Sequence, residues 1–356
     1  MIGNRFVPNQ SCTCLWLKPA SIYPLPPFIF IIIALLVISV PVWAEELEPG
    51  YNSGLGPFQV RSQAPAHTLR LSLSPMVPGK IIPGHFMARL GGTWVNVWAD
   101  NERYLIDYES LDLDATIGYG ISPRIFISLG YDRRNYFGGA MDGLIDAYHD
   151  IINFEQQGRS EAPEDQTRIT LYGEAGNLLL DTDDLDSLKN AGISASAQYI
   201  FHHGTDQWPA IGLTGTLRYG VDTPDGGDDN QPIDLGVSLG ISKRWSDRWY
   251  TYFWGGFTYF GQNEYLGLQL KETILSAMLA LEWRWRPNFS LLAQILAIQG
   301  AAEDFGQLSD PFQEITFGLK WQPSNMGVVE FGFIENLSSQ NKSPDFGLHL
   351  AYTHQF

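Results

Sequence analysis

The sequence predicts an all-β protein: a closed antiparallel transmembrane β-barrel of about 12 strands, with a short amphipathic helix in one long loop. Three observations predict this fold. Many segments alternate apolar and polar side chains, as strands do when one face meets lipid and the other a polar lumen. Short turns between these segments alternate with longer polar connections. The last segment keeps the alternation up to the terminal residue, Phe356.

The first 44 residues predict a cleaved secretion signal, 1–44. Arg5 and Lys18 precede a continuous apolar run at 28–40, which is short for a membrane-spanning helix of roughly 20 residues. Cleavage is expected after Ala44, and an uncleaved anchor is the alternative. Both cysteines, Cys12 and Cys14, lie in this leader. The mature chain would therefore have no disulfide and no thiol nucleophile.

Composition narrows the class of protein. The formal net charge of −17 argues against nucleic acid as a partner. No run of 18 apolar residues follows the leader, so no spanning helix is expected. The chain is therefore expected in a bacterial outer membrane, in contact with its lipid and lipopolysaccharide.

Period-two alternation places the strands. In the segment from 233, Leu235, Val237 and Leu239 share one face, while Asp234 and Ser238 lie on the other. The barrel domain is predicted at 84–356, and an even strand count brings both of its ends to one side of the membrane. The predicted strands are 84–98, 103–121, 124–134, 190–202, 209–219, 233–245, 248–261, 272–285, 289–299, 312–322, 326–335 and 345–356.

The segment before the barrel, 45–83, is rich in Gly and Pro. It is interpreted as a periplasmic arm or a plug segment. The run 67–76 also alternates, so an additional strand there is an open alternative.

Two further patterns concern the barrel wall. Charged side chains fall on the polar faces of the strands and are expected in the lumen: Arg89, Asp112, Asp114, Asp132, Arg218, Asp234, Glu282, Arg284, Glu314, Lys320 and Glu330. An aromatic cluster is interpreted as part of a girdle at a lipid interface: Trp249, Tyr250, Tyr252, Phe253 and Trp254.

The terminal strand resembles the signal that the outer-membrane assembly machinery reads. Tyr352 and Phe356 share its apolar face with Leu348 and Leu350, and the chain ends on the aromatic residue. The assembly machinery is therefore an expected partner, with Tyr352 and Phe356 as the recognised residues.

Two motifs resemble a family of bacterial proteins classified as domain of unknown function 3187. The first is Gly56, Pro57, Phe58, Arg61, Gln63 and Pro65, and the second contains Asp142, Gly143, His149 and Asp150. The chain departs from the family pattern at Ser62 and Ala64, where the family has Asn. The resemblance implies an outer-membrane barrel over nearly all of the mature chain, and it implies no activity.

One loop segment, 139–153, combines an apolar stripe at helical spacing with carboxylates on another face. As a catalytic site, His149 would be a general base oriented by Asp146 or Asp150. As a metal site, Asp142, Asp146 and Asp150 would hold a weakly bound Ca²⁺, which prefers oxygen ligands. The alternative, which we prefer, is an amphipathic helix with a solvated polar face. No nucleophile motif accompanies His149, which weakens the case for an acyl hydrolase. No other cofactor is indicated.

Three functions remain open from the sequence. A narrow or gated transport channel ranks first, because a barrel with mixed charges on its inner face suits it. A structural or assembly partner in an envelope or export complex ranks second. A lipid- or lipopolysaccharide-modifying enzyme ranks third, so an enzyme is not the favoured hypothesis.

Overall fold

The computed structural model describes residues 48–139, 141, 167–224, 231–265, 267–337 and 342–356. The predicted leader and most of the 139–153 segment lie outside these residues. None of the helices in the described ranges has the length and apolarity to cross a membrane.

Sixteen strands are present in the described residues. They are β1 (Phe86–Asp100), β2 (Tyr104–Ser122), β3 (Ile125–Phe137), β4 (Arg168–Tyr172), β5 (Leu178–Thr182), β6 (Asn190–His202), β7 (Ala210–Asp222), β8 (Ile233–Arg244), β9 (Trp249–Tyr259), β10 (Glu264–Tyr265), β11 (Leu268–Gln269), β12 (Thr273–Arg286), β13 (Phe289–Ile298), β14 (Phe312–Ser324), β15 (Gly327–Asn336) and β16 (Phe346–Gln355).

Twelve of these strands form one closed antiparallel barrel, as the sequence predicts. Each pairs with its neighbour in the chain order of the barrel strands, and β1 pairs with β16 from Met87–Gln355 to Asn96–Phe346. Every predicted strand corresponds to an observed one, with its ends within three residues. Closure leaves no unpaired edge along the wall, which is the condition for strands to cross lipid.

The two ends of the barrel differ. At the turn end, short turns connect the strands, and both Phe86 and Gln355 lie there. At the loop end the connections are longer, with one exception: β1 and β2 are joined by residues 101–103 alone. The hairpin β4–β5 extends the wall at this end, because β4 pairs with β2 beyond the end of β3.

The outer face of the barrel is apolar. Leu90 and Leu129 are 66% and 64% exposed, and Leu279 and Leu350 are 59% and 60% exposed. An apolar belt of this extent is not stable in water, whereas lipid accommodates it without breaking backbone hydrogen bonds. The wall is therefore that of a transmembrane barrel.

The girdle interpretation of the aromatic cluster on β9 is only partly correct. Trp249 and Phe253 face outward and are 42% and 45% exposed. Tyr250, Tyr252 and Trp254 point into the lumen and are buried. Consecutive aromatic residues on a strand alternate between the faces, so only every second one can reach a lipid interface.

Candidate functional site: a chain segment inside the lumen

The interior of the barrel is occupied by residues 48–85, which we call the luminal segment. Its rising leg, 53–64, passes from the turn end toward the loop end, and its returning leg, 71–82, leads back to β1. The Ser62 backbone N–H donates to Ser72 Oγ at 3.1 Å and links the two legs. The 67–76 run is not a strand: it holds a 3₁₀ turn, His67–Leu69, followed by extended chain without a ladder.

Carboxylates of the wall accept hydrogen bonds from the peptide N–H groups of this segment. Leu55 N lies 3.0 Å from Glu282 Oε2. Gln63 N lies 3.1 Å from Glu314 Oε1, and Leu71 N lies 2.9 Å from Asp234 Oδ2. Buried peptide groups need such partners. The inward carboxylates predicted from the strand pattern therefore accept hydrogen bonds that a neighbouring strand would accept in a β-sheet.

Donors of the wall satisfy the carbonyl groups of the segment. Lys320 Nζ lies 2.7 Å from Pro57 O, and Gln294 Nε2 lies 3.2 Å from Phe58 O. Further along, Asn190 Nδ2 donates to Thr68 O at 2.9 Å, and Ser242 Oγ donates to Pro78 O at 3.2 Å. The segment is thus held along its length although it has almost no secondary structure.

Arg61 is the only guanidinium of the rising leg, and it bridges two carboxylates of the wall. Its Nη1 lies 3.3 Å from Asp132 Oδ1, and its Nη2 contacts Asp112 Oδ1. Each carboxylate also has a partner on the wall: Asp112 pairs with Arg134 at 2.7 Å, and Asp132 pairs with Arg218 at 2.9 Å. The wall charges are therefore compensated with or without Arg61.

Two glycines of β8 make room for the returning leg. A Cβ at Gly236 would lie 2.5 Å from Leu73 Cδ2, and a Cβ at Gly240 would lie 2.5 Å from Met76 O. A side chain at either position would collide with the segment. By contrast, Gly215 of β7 has open space around it.

The loop-end half of the lumen contains a buried apolar cluster, which we call the loop-end cluster. Its wall and loop residues include Tyr104, Tyr136, Trp254, Phe260, Tyr265, Leu268, Phe305, Leu308 and Phe312, and the luminal segment contributes Ala64, Ala66, Leu71 and Leu73. Arg70 lies over the Phe260 ring at 3.6 Å, and the His67 ring meets Phe312 at 5.2 Å. The described residues therefore place buried apolar side chains of the wall, the loops and the luminal segment together in the loop-end half of the lumen.

The turn-end half of the lumen contains a cavity of about 680 Å³, which we call the turn-end cavity. Both legs of the luminal segment line one side. Hydroxyl and amide side chains of β3, β6, β7 and β8 line the other: Ser128, Ser194, Ser196, Gln198, Thr214, Thr216 and Ser238. His85, Met326 and Gln355 line it at the turn end.

The first family motif lies in the rising leg and at the start of the apex, residues 65–70, which joins the two legs. Phe58 is fully buried against Val60, Leu292 and Ile334. Gly56 has φ +80°, a conformation that other residues adopt at a cost, and its N–H donates to Tyr252 Oη at 3.2 Å. Gln63 Nε2 donates to Asp112, and Pro65 follows at the apex. The motif is therefore the part of the sequence that docks the luminal segment.

The second motif and the catalytic and metal candidates fall outside the described residues: Asp142, Gly143, Asp146, His149 and Asp150. Their proposed roles remain hypotheses. Just before them, Met141 is fully buried with Trp94, Phe333, Phe346 and Leu348. Elsewhere in the described ranges, no three His, Asp or Glu side chains are grouped so as to hold a metal ion.

The predicted assembly residues are at the surface. Tyr352 and Phe356 are 43% and 63% exposed, at the turn end of the outer face. Phe356 N donates to Phe86 O at 2.8 Å, so the last residue is tied to the first strand of the barrel.

Several solved structures resemble this barrel. The COG4313 outer membrane channel from Pseudomonas putida F1 aligns with a TM-score of 0.49 and 11% identity, over 78% of this chain and 97% of that chain. The CymD monoaromatic hydrocarbon channel aligns with a TM-score of 0.40 and 12% identity, over 87% and 98%. The KdgM porin aligns with a TM-score of 0.40 and 5% identity, over 75% and 99%.

A search of curated proteins finds no match. A family model described as "Protein of unknown function (DUF3187)" matches residues 31–356, which is nearly the whole chain. This match agrees with the two motifs, and the chain therefore belongs to the DUF3187 family.

Proposed function

We propose that the protein is a bacterial outer-membrane transport channel that its own luminal segment holds closed. In this proposal residues 1–44 are removed on export, the turn end faces the periplasm and the loop end faces outward. Short periplasmic turns and longer outer loops are the arrangement of bacterial barrels. Outer-membrane lipid and lipopolysaccharide surround the wall.

The observation that carries the proposal is the way in which the luminal segment is docked. If the luminal segment were a permanent part of the barrel interior, the carboxylates of the wall would be expected to depend on it for their counter-charges. Here Asp112 and Asp132 keep Arg134 and Arg218 when Arg61 departs. Withdrawal of the segment thus leaves no uncompensated carboxylate at this place, which lowers the free energy required to open the lumen.

The polar contacts of the segment support the same conclusion. Its peptide groups bond to side chains such as Glu282, Glu314 and Lys320, which water can solvate once the segment has left. A strand of the barrel could not replace its backbone hydrogen bonds with bonds to water in this way, because it lies against lipid. The segment is therefore the element of this fold that is suited to move.

The two alternative functions remain hypotheses. For a periplasmic partner, the accessible part of the docked segment is its turn-end portion, where Tyr51 contacts Asp206 of the β6–β7 turn. The enzyme hypothesis rests on His149, and a His149→Ala variant that complements a deletion strain fully would count against it.

A reversible tether tests the proposal. The sequence after residue 44 has no cysteine, so a Leu73→Cys/Gly236→Cys pair can form only one intramolecular disulfide. A Cβ at 236 would lie 3.2 Å from Leu73 Cγ, which brings the two β-carbons within disulfide range. The mature protein would be studied in planar bilayers with graded urea, below the concentration that unfolds the barrel.

We expect the untethered protein to conduct as urea releases the segment and to close when urea is removed. The oxidised double-cysteine variant should stay silent until a reductant is added. If the oxidised and reduced forms conduct equally, the segment is not the gate. If neither form conducts while gel mobility shows a folded barrel, the channel proposal is wrong.

A further inference from the structure

We propose that the turn-end cavity binds neutral, polyhydroxylated solutes of monosaccharide or disaccharide size. The inference rests on the proposed channel function, because it names the class of solute that the channel would carry. The volume of the turn-end cavity, about 680 Å³, lies within the range of small-molecule pockets, about 300–1,000 Å³.

Hydrogen-bonding side chains form two registered rows across the cavity wall. In one row, Ser128 of β3 pairs in register with Ser196 of β6, and Ser196 pairs with Thr216 of β7. In the next row, Gln198 of β6 pairs with Thr214 of β7, which pairs with Ser238 of β8. Neighbouring strands lie about 4.8 Å apart, so the rows present a regular grid of hydroxyl and amide groups.

Part of this grid is without a protein partner. Ser196 Oγ and Thr216 Oγ1 are 3.0 Å apart, and Gln198 Nε2 donates to Thr214 Oγ1 at 3.3 Å. Within the part of the chain that the structure describes, the hydroxyls of Ser128 and Ser238 in these rows have no hydrogen-bond partner, and the same holds for Ser194, which lines the cavity beside them. A hydroxyl both donates and accepts, so these groups match the hydroxyls of a polyol in either direction.

The charges around the cavity argue for a neutral ligand. Arg89 contacts Asp114, Lys320 Nζ lies 3.1 Å from Glu330 Oε1, and the Arg61–Asp132 distance is 3.3 Å. Arg284 Nε lies 3.8 Å from Glu282 Oε1. The two other basic residues in the lining, Lys80 and His85, lie at the turn end.

A charged solute would have to compete with these ion pairs and lose its own hydration. A neutral hydroxyl gives up much less hydration free energy and exchanges it for hydrogen bonds to the grid. An aromatic ring, Phe126, lines the same cavity and offers an apolar face to the C–H groups of a sugar ring. Ligand sites commonly combine a few placed polar groups with such a surface.

Saturation-transfer NMR on the mature protein tests the inference. A zwitterionic detergent is needed, because detergents with sugar headgroups would occupy the site. The probes are maltose, and glucose with glucuronate as a matched neutral and anionic pair. A Ser128→Ala/Ser196→Ala/Thr216→Val variant removes one row of hydroxyls. The control, Thr258→Val/Thr316→Val, removes two buried hydroxyls of the barrel strands that do not line the cavity.

We expect saturable transfer to maltose and glucose, and an apparent Kd at least tenfold weaker in the triple variant, with the control unchanged. Transfer to glucuronate alone would overturn the neutral assignment. Absence of transfer to all three sugars, or equal binding by the triple variant, would overturn the site. Far-UV circular dichroism and gel mobility establish that each variant is folded.

The result can be separated from that of the conductance experiment. Sugar binding with a silent barrel would keep the site and reject the channel. Urea-released conductance without sugar binding would keep the channel and reject this solute class.

Discussion

Arg61 of the luminal segment lies 3.3 Å from Asp132 of β3, and Asp132 is held at the same time by Arg218 of β7 at 2.9 Å. The contact therefore joins the luminal segment to an ion pair that is formed within the wall. Asp112 repeats the arrangement with Arg134. These shared carboxylates suggest how docking of the segment can be altered without unfolding the barrel.

Replacing Arg61 tests the contribution of the bridge. We expect Arg61→Met to weaken docking by about 1–3 kcal/mol, because the segment loses two buried ion pairs while the wall carboxylates keep their own arginines. The measurement is the urea concentration at which conductance appears, which should fall. The comparison variant is Arg218→Met, which leaves Asp132 with Arg61 alone. We expect it to lower barrel stability and not to release the segment first.

A larger side chain at a glycine of β8 should displace the luminal segment by steric conflict and so open the lumen. Gly240→Leu places a side chain where Met76 O and Val77 Cα lie within 2.7 Å of its Cβ. We expect the returning leg to be displaced and the variant to conduct without urea. Gly215→Leu is the matched control, since nothing lies within 4 Å of its Cβ, and it should remain silent. Conduction by both variants would indicate general damage to the barrel.

His67 predicts a pH dependence of docking. It lies in the luminal segment, where burial, together with Arg70 and Lys271, lowers the pKa of its imidazole to about 3. In the released state its pKa would return to about 6.5. Between these values the released state binds more protons, so docking should weaken by up to ~1.4 kcal/mol per pH unit as the pH falls below about 6.5.

The check is conductance in urea at a series of pH values. His67→Phe keeps an aromatic ring against Phe312 but cannot be protonated, so we expect it to remove this part of the pH dependence. An unchanged pH profile in His67→Phe would assign the effect to other groups.

Replacing the terminal residue, Phe356, should affect assembly in cells more than refolding in detergent. Phe356 is 63% exposed on the lipid face, so its side chain contributes little packing to the barrel. We expect Phe356→Ala to reduce the amount of protein assembled in the outer membrane while refolding yield in detergent changes little. Met326→Ala, another exposed turn-end residue, is the control. Equal loss in both assays would show a role in stability rather than in recognition.

The barrel can be predicted from the sequence alone. Alternation with period two is a local pattern, because neighbouring side chains of a strand must point to opposite faces. This pattern is therefore sufficient to count twelve strands and to predict that they form a closed sheet. It also places Asp234 and Ser238 of β8 inside the barrel and Leu235 and Leu239 outside. The same rule, applied residue by residue, also puts Tyr252 and Trp254 in the lumen.

The course of residues 48–85, and with it the proposed function, follows only from the folded structure. The alternation at 67–76 is typical of a strand, but a strand needs a ladder. The peptide groups of the luminal segment bond instead to side chains far along the chain. Leu55 N meets Glu282 and Leu71 N meets Asp234, over separations of 227 and 163 residues. No local pattern encodes partners at such distances, because closing the barrel is what brings these carboxylates to the segment.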